Sequence, residues 1–122
     1  MKKNILIIED DDFFRDLLKK KLLSLGFIIL EAVNGEEGIE EVEKKKPDLI
    51  ILDLLLPNID GFEVLSKVKT NTDTSSIPVI IVSNLGQQED VERGLKLGAV
   101  DYLIKSQFDI DSIVKKIKNI LK

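Results

Sequence analysis

Short apolar runs alternate with amphipathic stretches along this chain. The apolar runs are Ile5-Leu6-Ile7-Ile8, Phe27-Ile28-Ile29-Leu30, Leu49-Ile50-Ile51-Leu52, Val79-Ile80-Ile81-Val82 and Tyr102-Leu103-Ile104. The first, third and fourth carry no polar residue at alternate positions. A strand with one solvated face would need such residues, so these three read as strands covered on both faces, as in a parallel sheet.

The intervening stretches have helical spacing. Phe14, Leu17, Leu18, Leu22 and Leu25 share one helical face, and Gly26 is a terminator. A second helix is expected over 35–46, with Ile39 and Val42 inward and Pro47 as its stop. Phe62, Leu65 and Val68 mark a third. The fourth, over 89–97, has only a thin stripe from Val91 and Leu95. Ile110, Ile113, Val114, Ile117, Ile120 and Leu121 form the cleanest face, with Asp109 or Asp111 as a cap and lysines crowding the last turns. Residues 71–76 form a polar loop rather than a linker. Strands alternating with helices imply parallel βαβ units with right-handed crossovers. The expected fold is α/β: a flavodoxin-like, doubly wound, five-stranded parallel sheet of order 2-1-3-4-5 with five helices. One domain, 1–122, accounts for the length.

Composition narrows the chemistry. Apolar residues make up 43% and aromatics 5%, so the core must be mainly Ile, Leu and Val. The net charge of −4 argues against tracking a nucleic-acid backbone, which favours surplus Lys and Arg, so no direct nucleic-acid partner is expected. With no Cys, disulfides, thiolate nucleophiles and zinc–thiolate sites are excluded. With no His, Ser-His and Cys-His triads and most transition-metal sites go too. No run has secretory character or membrane-spanning length, so the expectation is a cytoplasmic protein with no membrane partner.

In an open parallel sheet of this order, ligands bind beyond the carboxyl ends of the strands, between strands one and three. The residues just past the strand ends are Glu9, Asp10, Asp11 and Asp12 after the first, Asp53 after the third, Ser83 and Asn84 after the fourth, and Lys105 after the fifth. Carboxylates gathered this closely repel one another and call for a cation or for protonation. Oxygen ligands without His or Cys select a hard cation, Mg²⁺ before Ca²⁺, and Mg²⁺ commonly pairs one or two carboxylates with phosphate oxygens. Each residue alone has a plainer role: first-turn acids for Glu9 to Asp12, a turn former for Asp53, a loop hydroxyl for Ser83, a solvated lysine for Lys105. Their arrival at four strand ends in one crevice favours the site.

At these positions the chain resembles the receiver domain of two-component response regulators, of the stand-alone chemotaxis-regulator-like kind. The resemblance is carried in order by Ile5-Leu6-Ile7-Ile8-Glu9-Asp10-Asp11, by Pro47-Asp48-Leu49-Ile50-Ile51-Leu52-Asp53 with Leu56-Pro57-Asn58-Ile59-Asp60-Gly61, by Pro78-Val79-Ile80-Ile81-Val82-Ser83, and by Gly98-Ala99-Val100-Asp101-Tyr102-Leu103-Ile104-Lys105. It implies that Asp53 is the phosphorylated nucleophile. It further implies that Asp10 ligates Mg²⁺ directly, with Glu9 helping through water and the Leu55 backbone carbonyl completing the protein's share. Ser83 and Lys105 are implied to hold phosphoryl oxygens, and Tyr102 to be a switch aromatic that turns inward as Ser83 moves. The implied donor is a sensor histidine kinase or phosphotransfer protein, the implied output a downstream protein target. In this reading the domain is a phosphoacceptor and switch, not an enzyme.

Three positions depart from the family pattern. Ser106 follows Lys105 where the family usually has Pro, often cis; a cis bond to Ser would cost roughly 2.5–4 kcal/mol, which leaves the placement of Lys105 open. Asn84 replaces a small residue beside the phosphate's entry path. Positions 55 and 85 are both Leu and offer nothing to orient an attacking water, so a long-lived phosphorylated state is expected. The chain ends with the fifth helix, so output is expected by protein contact through the fourth helix, the Tyr102 edge and the fifth helix. The rival readings are a module that no longer takes phosphate, a flavin or nucleotide carrier, and a haloacid-dehalogenase-type phosphatase. The acidic first turn opposes the carrier. Leu55 opposes the phosphatase, which needs a second Asp there.

Overall fold

The computed structural model describes residues 2–122. Its elements run β1 (Asn4–Ile8), α1 (Asp12–Ser24), β2 (Ile28–Ala32), α2 (Gly35–Lys45), β3 (Leu49–Leu52), α3 (Gly61–Thr70), β4 (Val79–Ser83), α4 (Gln88–Lys96), β5 (Asp101–Ile104), a 3₁₀ turn (Lys105–Gln107) and α5 (Ile110–Ile120). The five strands are all parallel and lie in the order β2-β1-β3-β4-β5, as the alternating pattern predicts.

Side chains alternate across a strand, and here the alternation sorts the apolar runs into two cores. Leu6, Ile8, Ile50, Leu52, Val79 and Ile81 face one side, where Val42 of α2 and Phe62, Val64, Leu65 and Val68 of α3 cover them. Ile5, Ile7, Leu49, Ile51, Ile80 and Val82 face the other, under Leu18 and Leu22 of α1 and Ile113, Val114 and Ile117 of α5. Fully burying a side chain of this size is worth about 1.5–3 kcal/mol, which is why uninterrupted apolar runs become the central strands.

The edges depart from the expected pattern in detail. β2 begins at Ile28, not Phe27, and runs on to Ala32, because Ile28 to Ala32 pair with Asn4 to Ile8. As an edge strand it keeps Ile28 exposed. In α1 only Leu18 and Leu22 are buried; Leu17 and Leu25 reach solvent, so the inward face is narrower than the sequence spacing implied. α2 stops one residue early because Lys46 adopts a left-handed conformation at φ 44°. In α4, Leu95 points outward and the buried residue is Gly94. Of the two candidate caps for α5, Asp109 is the one used, accepting a bond from the Ser112 amide at 2.8 Å. Among the described residues no helix is long and apolar enough to cross a membrane.

Candidate functional site

The carboxyl edge of the sheet is built by backbone register. The Asp53 amide donates to the Ile8 carbonyl at 3.1 Å, and the Glu9 amide donates to the Ala32 carbonyl at 3.0 Å. These bonds continue the strand ladders by one residue each, setting the acidic residues side by side at the mouth of the crevice. The chain then turns into α1 with Asp11 as its cap, Oδ1 accepting from the amides of Phe13 and Phe14 at 3.0 and 3.3 Å. Glu9 Oε2 accepts the Asp11 amide at 3.1 Å. Behind Asp53, the Leu55 amide donates to Asp53 Oδ1 at 3.1 Å, closing a tight turn. Gly61 presses on that turn: a Cβ there would lie 2.4 Å from the Leu54 Cα and 2.7 Å from the Asp53 carbonyl oxygen. No side chain fits, so the loop after β3 is held closed.

Glu9, Asp10 and Asp53 each bring a carboxylate oxygen to within 4.8 Å of the others. Glu9 and Asp53 are buried, whereas Asp10 is exposed at the rim. Lys105 reaches across from the end of β5, its Nζ 2.6 Å from Glu9 Oε1 and 3.1 Å from Asp53 Oδ2. The peptide bond from Lys105 to Ser106 is trans, and the 3₁₀ turn carries the chain away while the side chain points inward. Proline is therefore not needed to bring this lysine to the acids.

The electrostatics are those of crowded, half-dry charges. Burial pushes the Glu9 carboxyl up to about 7; the hydrogen bond from Lys105 pulls it down, the nearby Asp53 charge raises it further, and burial wins. For Lys105, burial alone would lower the ammonium, but the bond to Glu9 and the charge on Asp53 outweigh it and hold Lys105 above its ordinary value. One ammonium thus faces two buried carboxylates with a third beside them. Such a set fits a divalent cation: the donors are all oxygen, and one positive charge does not balance three acids.

Ser83 is completely buried at the end of β4, and its Oγ accepts the Leu85 amide at 3.3 Å. Tyr102 already points inward, 8% exposed, its hydroxyl donating to the Leu85 carbonyl. Residue 85 thereby ties Ser83 and Tyr102 together through its backbone. The side chains of Leu55 and Asn84 are exposed.

Two neighbours of the site escaped sequence reasoning. The Phe14 ring lies under Lys105, its centroid 4.5 Å from Nζ. Arg15 Nη1 donates to the Glu9 carbonyl at 2.8 Å, while its other nitrogens bond Asp12 Oδ1 at 2.6 Å and Glu31 Oε1 at 3.0 Å. Phe14 fits the apolar spacing of α1 and Arg15 its polar face, so no sequence signal separated either from an ordinary helical residue.

A model of the response regulator receiver domain matches residues 5–118. The chain belongs to the response regulator receiver domain family. Among relatives of this receiver domain, the "DNA-binding dual master transcriptional regulator RpaA" of Synechocystis is 38% identical over 118 residues, 97% of this chain and 48% of RpaA. The domain thus spans about half the length of the curated relatives it matches. A solved structure described as a response regulator of Chloroflexus aurantiacus superposes with a TM-score of 0.91 at 33% identity, covering 99% of this chain and 98% of that one. The Mn²⁺-bound form of response regulator Rcp1 superposes at 0.85 with 28% identity, covering 97% and 91%.

One expectation is corrected by these relatives. The acidic balance argued against any nucleic-acid partner, yet RpaA is by name a DNA-binding transcriptional regulator. Net charge reports only on the residues counted. The match covers 48% of RpaA, so the composition of this receiver domain carries no information about contacts made by the rest of such a protein.

Proposed function

We propose that Asp53 accepts a phosphoryl group from a phosphohistidine on a kinase or phosphotransfer protein, in a reaction that depends on Mg²⁺. The observation that carries this reading is the meeting of Asp10, Glu9 and Asp53 from two adjacent strand ends with Lys105 facing them. Asp10, Glu9 and Asp53, with the Leu55 backbone carbonyl, would hold the ion. Bound there, Mg²⁺ supplies positive charge against the oxygens of the incoming phosphoryl group.

The residues of the chain do the rest. An Asp53 carboxylate oxygen attacks phosphorus in line, and the phosphorus–nitrogen bond to the donor imidazole breaks. The electron pair leaves with the imidazole nitrogen, and Asp53 becomes an acyl phosphate. The transition state is loose, so positioning and charge neutralisation supply the catalysis. Lys105 neutralises one phosphoryl oxygen. The Ser83 hydroxyl, now accepting from the Leu85 amide, has its own proton free to donate to another. Drawing Ser83 toward the phosphate disturbs residue 85, and so the Tyr102 hydroxyl bonded to its carbonyl. The protein acts once per phosphoryl group, as acceptor and switch rather than turnover catalyst. The charged site argues for this over a module that has lost the reaction, because two buried acids beside a third carry more negative charge than one lysine balances, a costly arrangement that the fold itself does not need.

A phosphotransfer assay comparing wild type with Asp53→Asn tests the reading. Label should pass to wild type with Mg²⁺, and neither to the variant nor without the ion. Equal labelling of Asp53→Asn would end it.

A further inference from the structure

Phe14 belongs to no role assigned so far. It sits in the first turn of α1, half-buried and packed against the core that α1 and α5 cover. Its ring face meets Lys105 at 4.5 Å. An ammonium has three N–H donors. Glu9 Oε1 and Asp53 Oδ2 take two, at 2.6 and 3.1 Å, and the ring face is the third neighbour.

Lys105 needs that third neighbour. Its backbone opens a three-residue 3₁₀ turn with no side-chain cap, whose other two residues, Ser106 and Gln107, are exposed. Fixing a long lysine side chain from such a base costs rotamer entropy. The two carboxylates that hold it are also the ones a divalent ion would recruit. The ring is the one partner a metal cannot draw away. The backbone of Phe14 is held by the bond from its amide to the cap Asp11, whose own amide is bonded to Glu9, and its side chain packs against the core under α1 and α5.

We propose that Phe14 is a positioning residue for Lys105: its ring face forms one wall of the seat that keeps the ammonium aimed at Asp53 once metal occupies the acids. The proposal rests on the reading of Asp53 as phosphoacceptor and Lys105 as its cationic partner. The attraction is electrostatic, between a cation and the negative face of the ring, and it strengthens as water is excluded. The Lys105 side chain is only 12% exposed. Leucine in place of phenylalanine keeps an apolar contact with the core but offers no such face.

The test compares wild type, Phe14→Leu, Phe14→Tyr and Lys105→Met. Three quantities are read: the NMR shift of the Lys105 side-chain methylene protons, the Mg²⁺ dissociation constant, and the rate of phosphorylation by acetyl phosphate at saturating Mg²⁺. Phe14→Leu should remove an upfield ring shift on Lys105 and slow phosphorylation by about three- to tenfold, the range expected for a partly desolvated cation–ring pair. Mg²⁺ affinity should stay within about twofold, since the ring touches no metal ligand except through Lys105. Phe14→Tyr should restore both the shift and the rate. If leucine unfolds the protein, Phe14→Met, which keeps the bulk, takes its place. A wild-type rate in Phe14→Leu overturns the proposal, as does a loss of rate and Mg²⁺ affinity together that tyrosine fails to restore. Lys105→Met separates the two levels. If it is phosphorylated as fast as wild type, the role of Lys105 itself is wrong. If it is slow while Phe14→Leu is normal, only the role of Phe14 falls.

Discussion

Lys105 lies closer to Glu9 than to Asp53, 2.6 Å against 3.1 Å, and so guards the residue that sequence reasoning placed in the supporting role. Asp10 stands exposed at the rim, whereas Glu9 is buried. Burial raises its carboxyl to about 7, well above its value in an unfolded chain. A carboxyl raised on folding binds more protons in the native state, so its contribution to stability is fully present below the unfolded value and is lost as pH rises through about 7. Metal-free protein should therefore melt at a lower temperature at pH 8 than at pH 6, and Glu9→Gln should flatten that dependence. Mg²⁺ competes with the proton, so its affinity should climb over the same range. Calorimetric scans with and without Mg²⁺ check both; a metal-free melting temperature that rises toward pH 8 contradicts the assignment.

Gly94 lets α4 lie close to the sheet. A Cβ there would sit 2.7 Å from Ile81 Cδ1 and 3.0 Å from Tyr102 Cδ2. Gly94→Ala gains helix propensity but overpacks two core side chains, with a net cost expected at about 1–3 kcal/mol. Urea unfolding measures it. A variant as stable as wild type would show that Tyr102 gives way without penalty.

Tyr102 is the single tyrosine, and there is no tryptophan, so its optical signals are unmixed. Burial first, then the charges of Asp90 and Asp53, push the phenol up to about 12. A spectrophotometric titration should show no phenolate until well above pH 10. Phosphorylation that displaces residue 85 should change the fluorescence of Tyr102, and an unchanged spectrum on adding beryllofluoride and Mg²⁺ would remove Tyr102 from the switch.

Leu55 presents an exposed apolar side chain beside Asp53, and Leu85, half-buried, lies in the loop after β4. Neither hydrogen-bonds water, so an attacking water gains no orientation from them. Leu55→Gln should shorten the lifetime of the phosphorylated protein several-fold. A phosphate-release time course reads it, and a lifetime of seconds in wild type would refute the premise.

α4 buries only its glycine, so it is the helix with least holding it. Amide exchange along residues 88–96 should slow or quicken when beryllofluoride binds, while α5 changes little. Equal exchange with and without the mimic would place the output elsewhere.

The fold was legible because strands covered on both faces must be apolar throughout, and β1, β3 and β4 are. The site was legible because topology gathers strand ends, so Asp53 and Lys105 could be paired across 52 residues. Margins were harder. Phe27 and Ile28 are equally apolar, and only pairing with Asn4 decides which one enters β2. Leu95 fits a helical stripe as well as any leucine, but the short distance to Ile81 and Tyr102 admits Gly94 in its place. The double duty of Phe14, a core residue on one side and a cation's neighbour on the other, is three-dimensional information with no linear trace.

The sheet is a partition. Tyr102 and its neighbour Ile81 belong to the chamber covered by α2, α3 and α4, whereas Leu18, Leu22 and Ile117 fill the chamber on the far side. A rearrangement that began at Tyr102 would therefore begin in one chamber only. The other, walled off by the sheet, would then serve as the fixed jaw of a vice, something for the first half to move against.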